Sequence, residues 1–218
     1  SGSSANLLSF FCLINPRNDK RLKPNDECLI PALCWSTSLW PIVQSGLKPK
    51  FVDIDKKTLN IDLNDLKKKI TKKTKAIMAV HILGNSTNMN ELMNICKKNN
   101  LALIEDTCES LGSKFKNKSL GTFGKFGTYS FYPSHQITSG EGGMIVCNKK
   151  SDYEIELLIS LFKKESNFTA NYVGGDYSKF KLQYMKDHYE KMHALDKVER
   201  NRILKTAYEK EREKNAGN

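Results

Sequence analysis

The chain has 218 residues, 39% apolar side chains and a formal net charge of +11, enough material for one sizeable core or one core with a small appendage. No apolar run approaches the ~20 residues that span a bilayer. The opening SGSSANLLSFFCLINP lacks a basic start and a small-residue cleavage site, so a cytoplasmic protein without membrane attachment is expected.

Elements alternate along the chain. SGSSAN at 1–6 is a small-residue turn opening an apolar helix that carries Leu7, Leu8, Phe10 and Phe11. Strand candidates are CLIPA (28–32), KPKFVDI (48–54), KAIMAVHI (75–82), LALIEDT (101–107), GTYSFY (127–132) and GGMIVC (142–147). Between them LCWSTSLWPIVQSG, NIDLNDLKKKI and NMNELMNICKKNN have polar starts and apolar spacing near that of a helix. This alternation predicts an α/β protein with a mainly parallel sheet flanked by helices. SDYEIELLISLFKKE reads as a further helix, a Gly-Gly loop follows at 174–175, and a long, highly charged helical tract comes after it. A boundary is placed near 166, giving a domain over 1–165 and an unassigned charged helical tail over 166–218.

The lysine clusters KKK at 67–69 and KK at 72–73 and 97–98 fall beside helix-like segments and read as solvated faces rather than a nucleic-acid groove. The same positive field favours an anionic small substrate such as a nucleotide-linked molecule. The six cysteines are scattered without a CxxC, which suggests buried reduced thiols and neither a disulfide framework nor a metal site. His81 reads as a packed residue. His188 and His193 are five apart, not four, so they are not a metal pair on one helix face.

In parallel α/β sheets, chemistry collects beyond the carboxyl ends of the strands. Four features fall there. The SGSSAN turn offers backbone N–H groups and a helix dipole to a phosphate. Asp106 ends a very apolar strand and needs a partner. Trp35 follows CLIPA as either plain core or a stacking plate. Ser130 and His135 lie on SFYPSHQITSGEGGMIV, with glycines behind them. A phosphate cradle, an acid for a ring nitrogen and an aromatic plate describe a pyridoxal phosphate pocket. The Schiff-base lysine of such a pocket is missing.

SGSSANLL, PALCWSTS, FVDIDKKTLNID, TKAIMAVHILGN, LIEDTCESLGSKFKNKSLGTFG and SFYPSHQITSGEGGMIV, in this order, resemble the DegT/DnrJ/StrS family of sugar aminotransferases over roughly residues 1–160. The resemblance implies the large domain of type I pyridoxal phosphate enzymes, here partial. Most members carry lysine where this chain has His135, and the histidine resembles the nucleotide-sugar 3-dehydratase branch, its colitose-type members above all. It implies pyridoxamine 5′-phosphate (or pyridoxal 5′-phosphate) as cofactor, a nucleotide-linked 4-keto-6-deoxysugar as substrate, glutamate as amino donor and a homodimer. Carried over by position, Ser4 and Ala5 would give amides to the phosphate and Ser130 a hydroxyl. Trp35 would stack on the ring, Asp106 would pair with its nitrogen, and Glu109 would stand near its hydroxyl. His135 would be the general acid–base. Family members begin before the SGSSAN turn and end in a second, smaller domain, so a truncated chain is expected, either a dehydratase or aminotransferase relative or a non-catalytic remnant.

Overall fold

A computed structural model describes residues 1–18, 20–162 and 168–172. A seven-stranded sheet organises them, in the order β2-β1-β3-β4-β7-β8-β9. The strands are β1 (Glu27–Pro31), β2 (Lys48–Val52), β3 (Thr74–Val80), β4 (Ala102–Asp106), β7 (Phe126–Ser130), β8 (Gly143–Cys147) and β9 (Phe168–Tyr172). The first five pair in parallel, β8 runs antiparallel to β7, and β9 runs parallel to β8. A separate two-stranded hairpin, β5 (Lys114–Phe115) with β6 (Lys118–Ser119), stands outside this sheet.

The helices are α1 (Gly2–Ile14), α2 (Ser36–Gln44), α3 (Leu63–Lys69), α4 (Met89–Asn99) and α5 (Lys150–Phe162). Their ends follow local chemistry. Asp62 caps α3 by accepting from the Asn64 and Asp65 amides, and Asn88 caps α4 by accepting from Glu91 N. Lys67, Lys68 and Lys69 fill the last turn of α3, and Lys97 and Lys98 that of α4, where cations complement the helix dipole. Asn100 closes α4 in the left-handed conformation, at φ 53°. Two of the three lysine clusters are therefore helix ends, and Lys72 and Lys73 lie in the turn before β3.

Central strands are buried on both faces, which is why β3 and β4 read as apolar runs. One cluster joins Leu29, Ile77, Ala79 and Leu103 of the sheet to Leu66, Met89, Leu92 and Ile95 of α3 and α4. Ala5, Leu8, Phe10, Cys12 and Leu13 of α1 are buried as well, and α1 contacts α2, β7, β8 and α5. All six cysteines are free, four of them buried and two, Cys34 and Cys108, partly so. Among the described residues no helix is long and apolar enough to cross a membrane. The charged tract with His188 and His193 lies outside the described residues.

Candidate active site

The carboxyl ends of β4 and β7 meet the first turn of α1. A side-chain carbon added to Gly2 would lie 2.6 Å from Cys108 Sγ and 2.7 Å from Ser130 Cβ, so only glycine lets the helix start this close to both strand ends. Ser1 caps the helix: its Oγ accepts from Ser4 N (3.2 Å), and its carbonyl accepts from Ala5 N (3.0 Å). The Ala5 amide is thus already spent within the helix, and Ala5 is fully buried. In that first turn the donors without an acceptor among the described residues are the amides of Gly2 and Ser3, two residues nearer the N-terminus than the sequence reading placed them.

Asp106 ends β4 and is 6% exposed. Its Oδ2 accepts from Asn6 Nδ2 (2.9 Å) and Ser38 Oγ (2.7 Å), and its Oδ1 accepts from Cys108 N (3.1 Å). The preceding carboxylate, Glu105, points to the opposite face, as strand alternation requires. There it accepts from the amides of Gly121, Phe123 and Gly124 and meets His81 Nε2 at 3.1 Å. His81 is buried in that pair, in keeping with its packed reading. Burial, and then the Asp106 charge, push the Cys108 thiol well above its ordinary range, so this sulfur stays protonated and inert beside the site.

Trp35 is the residue before α2, and its carbonyl accepts from Ser38 N (2.9 Å). Its side chain is 73% exposed, which removes the plain-core reading. The turn that displays Trp35 also delivers Ser38 to Asp106. Ser130, at the end of β7, is buried and its Oγ accepts from Tyr132 N (3.3 Å).

His135 lies on the loop between β7 and β8, half-buried, with its amide donating to Tyr132 O (3.0 Å) and its ring 6.4 Å, edge-on, from that of Tyr132. Its imidazole makes no hydrogen bond to another described residue. The next residue, Gln136, donates from Nε2 to Glu109 O (2.7 Å), and Glu109 Oε2 accepts from Leu83 N (3.2 Å). Loops after β3, β4 and β7 are therefore tied together. Thus Ser4, Asp106 and Ser130 converge at α1, Trp35 joins them through Ser38, and His135 joins Glu109 through Gln136. Asn6, Ser38, Thr128 and Gln136 were not anticipated. The only hint of Asn6 was an amide just before the apolar run of α1. Among the described residues no group of three or more His, Cys, Asp and Glu is arranged to hold a metal ion.

A family model of aminotransferases matches residues 1–206. The chain belongs to the DegT/DnrJ/EryC1/StrS aminotransferase family. Within it, GDP-4-keto-6-deoxy-D-mannose 3-dehydratase of Escherichia coli O55:H7 is 48% identical over 159 residues, 73% of this chain and 41% of that enzyme. The E. coli enzyme of that name, solved with bound hydrated PLP, superposes with a TM-score of 0.68 at 46% identity, covering 72% of this chain and 40% of that one. A GDP-4-keto-6-deoxymannose-3-dehydratase with a trapped PLP-glutamate geminal diamine gives a TM-score of 0.67 at 46% identity, with 72% and 40% covered. The chain spans about two fifths of the length of these relatives. The sheet and its flanking helices are those of pyridoxal phosphate-dependent aminotransferase-fold enzymes.

Proposed function

We propose that this chain carries the cofactor-binding part of a pyridoxamine 5′-phosphate-dependent 3-dehydratase acting on a nucleotide-linked 4-keto-6-deoxysugar. The reading is supported by three features that lie beyond the carboxyl ends of strands of one sheet: unpaired α1 amides, a buried, hydrogen-bonded Asp106, and, on the loop after β7, an imidazole at the place where the resemblance puts lysine in most family members.

The residues present fit the cofactor. The Gly2 and Ser3 amides, the Ser4 and Ser130 hydroxyls and the α1 dipole suit a phosphate dianion, with Ala5 holding the turn in place. Trp35 presents an exposed indole for a ring face. Asp106, held by Asn6, Ser38 and the Cys108 amide, would pair with a protonated ring nitrogen. Glu109 is assigned to the side of the ring hydroxyl. Bound there, the cofactor supplies an amine for the C4 ketone and a ring that takes up an electron pair.

His135 replaces the tethering lysine, and an imidazole does not link covalently to the cofactor aldehyde. Its imidazole, free of any hydrogen-bonding protein partner among the described residues, would instead hold and hand on a proton, so that the departing C3 hydroxyl could leave as water. Glutamate, present as an adduct in a relative, is the proposed amino donor, and a homodimer the proposed assembly. Solubility in the cytoplasm goes with such biosynthetic chemistry.

The test is direct. The purified chain is mixed with pyridoxamine 5′-phosphate, desalted and scanned for retained absorbance, then given GDP-4-keto-6-deoxymannose and glutamate. Retention with release of 2-oxoglutarate and a 3-deoxy product supports the dehydratase. Retention without turnover leaves a cofactor-binding protein, and no retention overturns the reading.

A further inference from the structure

We propose that Asn6, oriented by Thr128 and assisted by Ser38, is a positioning residue that holds Asp106 as the charged partner of a pyridine ring nitrogen. The inference rests on the cofactor reading above and adds to it residues that never touch the cofactor.

The hydrogen bonds admit one arrangement. Asn6 is 1% exposed and Thr128 fully buried, so water does not substitute for a missing partner. Thr128 Oγ1 lies 2.6 Å from Asn6 Oδ1, while Asn6 Nδ2 lies 2.9 Å from Asp106 Oδ2 and 3.3 Å from Thr37 O. Rotating the amide by half a turn would set its oxygen against both the carboxylate and the Thr37 carbonyl, two acceptor–acceptor contacts. The Thr128 hydroxyl also has Glu105 O within reach, at 3.3 Å, but its single proton goes to the nearer amide oxygen. The relay therefore runs in one direction, from Thr128 through Asn6 to Asp106.

The relay also decides which carboxylate oxygen is available. Oδ2 already takes two donors, from Asn6 and Ser38, whereas Oδ1 takes the Cys108 amide, and the Cys108 thiol is a weak further donor to the carboxylate. A carboxylate oxygen has about two lone-pair sites, so Oδ1 keeps one for a ring N–H. The two donors on Oδ2 fix the orientation of the carboxylate, so that Oδ1 is the oxygen left to meet the ring nitrogen. Asn6 belongs to the same helix whose first turn is offered to the phosphate. One rigid element thus sets both ends of the ligand, the phosphate through Gly2–Ser4 and the ring nitrogen through Asn6.

The experiment follows pyridoxamine 5′-phosphate labelled with ¹⁵N in the ring, bound to the 218-residue chain, together with the Asn6 carboxamide signals of the cofactor-free protein. In the wild type the ring signal should be that of a protonated pyridine. Thr128→Val, which keeps shape and removes the donor, should move it toward the unprotonated position, shift the Asn6 amide signals and weaken cofactor binding about 5-fold. Thr128→Ser should restore wild-type values, and Asn6→Leu should weaken binding by about 10-fold or more. Wild-type ring and amide signals in a cofactor-binding Thr128→Val protein would overturn the positioning role alone. A wild type that binds no cofactor would overturn the reading beneath it, and with it the ring-nitrogen assignment.

Discussion

At the scale of single residues, the site depends on one substitution and one carboxylate. If His135 stands where a lysine would tether the cofactor, His135→Lys should regain that tether. Pyridoxal 5′-phosphate followed by borohydride should then leave a covalent adduct on residue 135 that mass spectrometry finds there and not in the wild type; a folded variant without it would remove His135 from the site. Asp106→Asn should weaken cofactor binding by roughly 10- to 100-fold, since a charged hydrogen bond contributes about 1.5–3 kcal/mol; titration of the bound absorbance measures it, and an unchanged affinity would contradict the pairing. His135 stands out only through the resemblance, at the place where most family members carry lysine, whereas the burial and partners of Asp106 were legible in the chain because a carboxylate closing an apolar strand needs donors. Asn6, Ser38 and Thr128 were not. Each is a small polar residue inside a helix or strand, and its role exists only because contacts 31 to 122 residues apart in sequence bring it to a partner. The availability of the Gly2 and Ser3 amides, in place of that of Ala5, likewise depends on the cap that Ser1 makes.

At the scale of elements, legibility followed burial. Strands β1, β3, β4, β7 and β8 lie within about two residues of their apolar runs, because a sheet covered on both faces demands continuous hydrophobicity. The β5–β6 hairpin escaped notice since two-residue strands carry no period, and β9 since FTANY has neither an apolar run nor strict alternation. Helix α5 was legible as a helix, but not for what it buries. Glu156 is fully buried with both carboxylate oxygens unpartnered, and Asp152, one turn before it, is bonded to Lys125 (2.7 Å) through one oxygen only. Burial, and then the Asp152 charge, push the Glu156 carboxyl well above the usual range. The thiols facing this cluster, Cys12 of α1 and Cys147 of β8, are raised too, chiefly by burial. The folded protein therefore holds a proton on Glu156 where the unfolded chain has released it, and this group's contribution to stability falls as pH rises through the ordinary glutamate range, near ~4.3. Glu156→Met should raise unfolding stability at pH 7 by roughly 1–3 kcal/mol, with the gap narrowing toward acid pH. Urea melts of both proteins from pH 4 to 8 check it, and a gap that does not change with pH would refute the neutral, buried carboxyl.

At the scale of the whole molecule, the proposed ligand site is a junction rather than a pocket in one element. The proposed phosphate end would draw on α1 and β7 and the ring end on β4 with α2, and the loop that carries His135 ties back to the turns after β3 and β4. This convergence at the carboxyl edge of a parallel sheet was foreseeable from the alternation of elements alone, whereas the order of strands, with β3 between β1 and β4, was not, because each strand reads alike in isolation. A ligand that bridges separate elements binds the folded state and has no counterpart site in the unfolded chain, so its binding energy adds to cooperative stability. At 100 times its dissociation constant, pyridoxamine 5′-phosphate should stabilise the protein by about 2.7 kcal/mol, or a rise in Tm of about 5–10 °C for a chain of this size. Pyridoxamine without the phosphate loses the α1 contacts and should produce a small fraction of that shift at equal concentration. Raising the salt should reduce the shift further, since a dianion approaching a chain of net charge +11 gains from a field that salt screens. Differential scanning calorimetry with the two ligands separates the outcomes: equal shifts for both would mean that the first turn of α1 contributes nothing to binding.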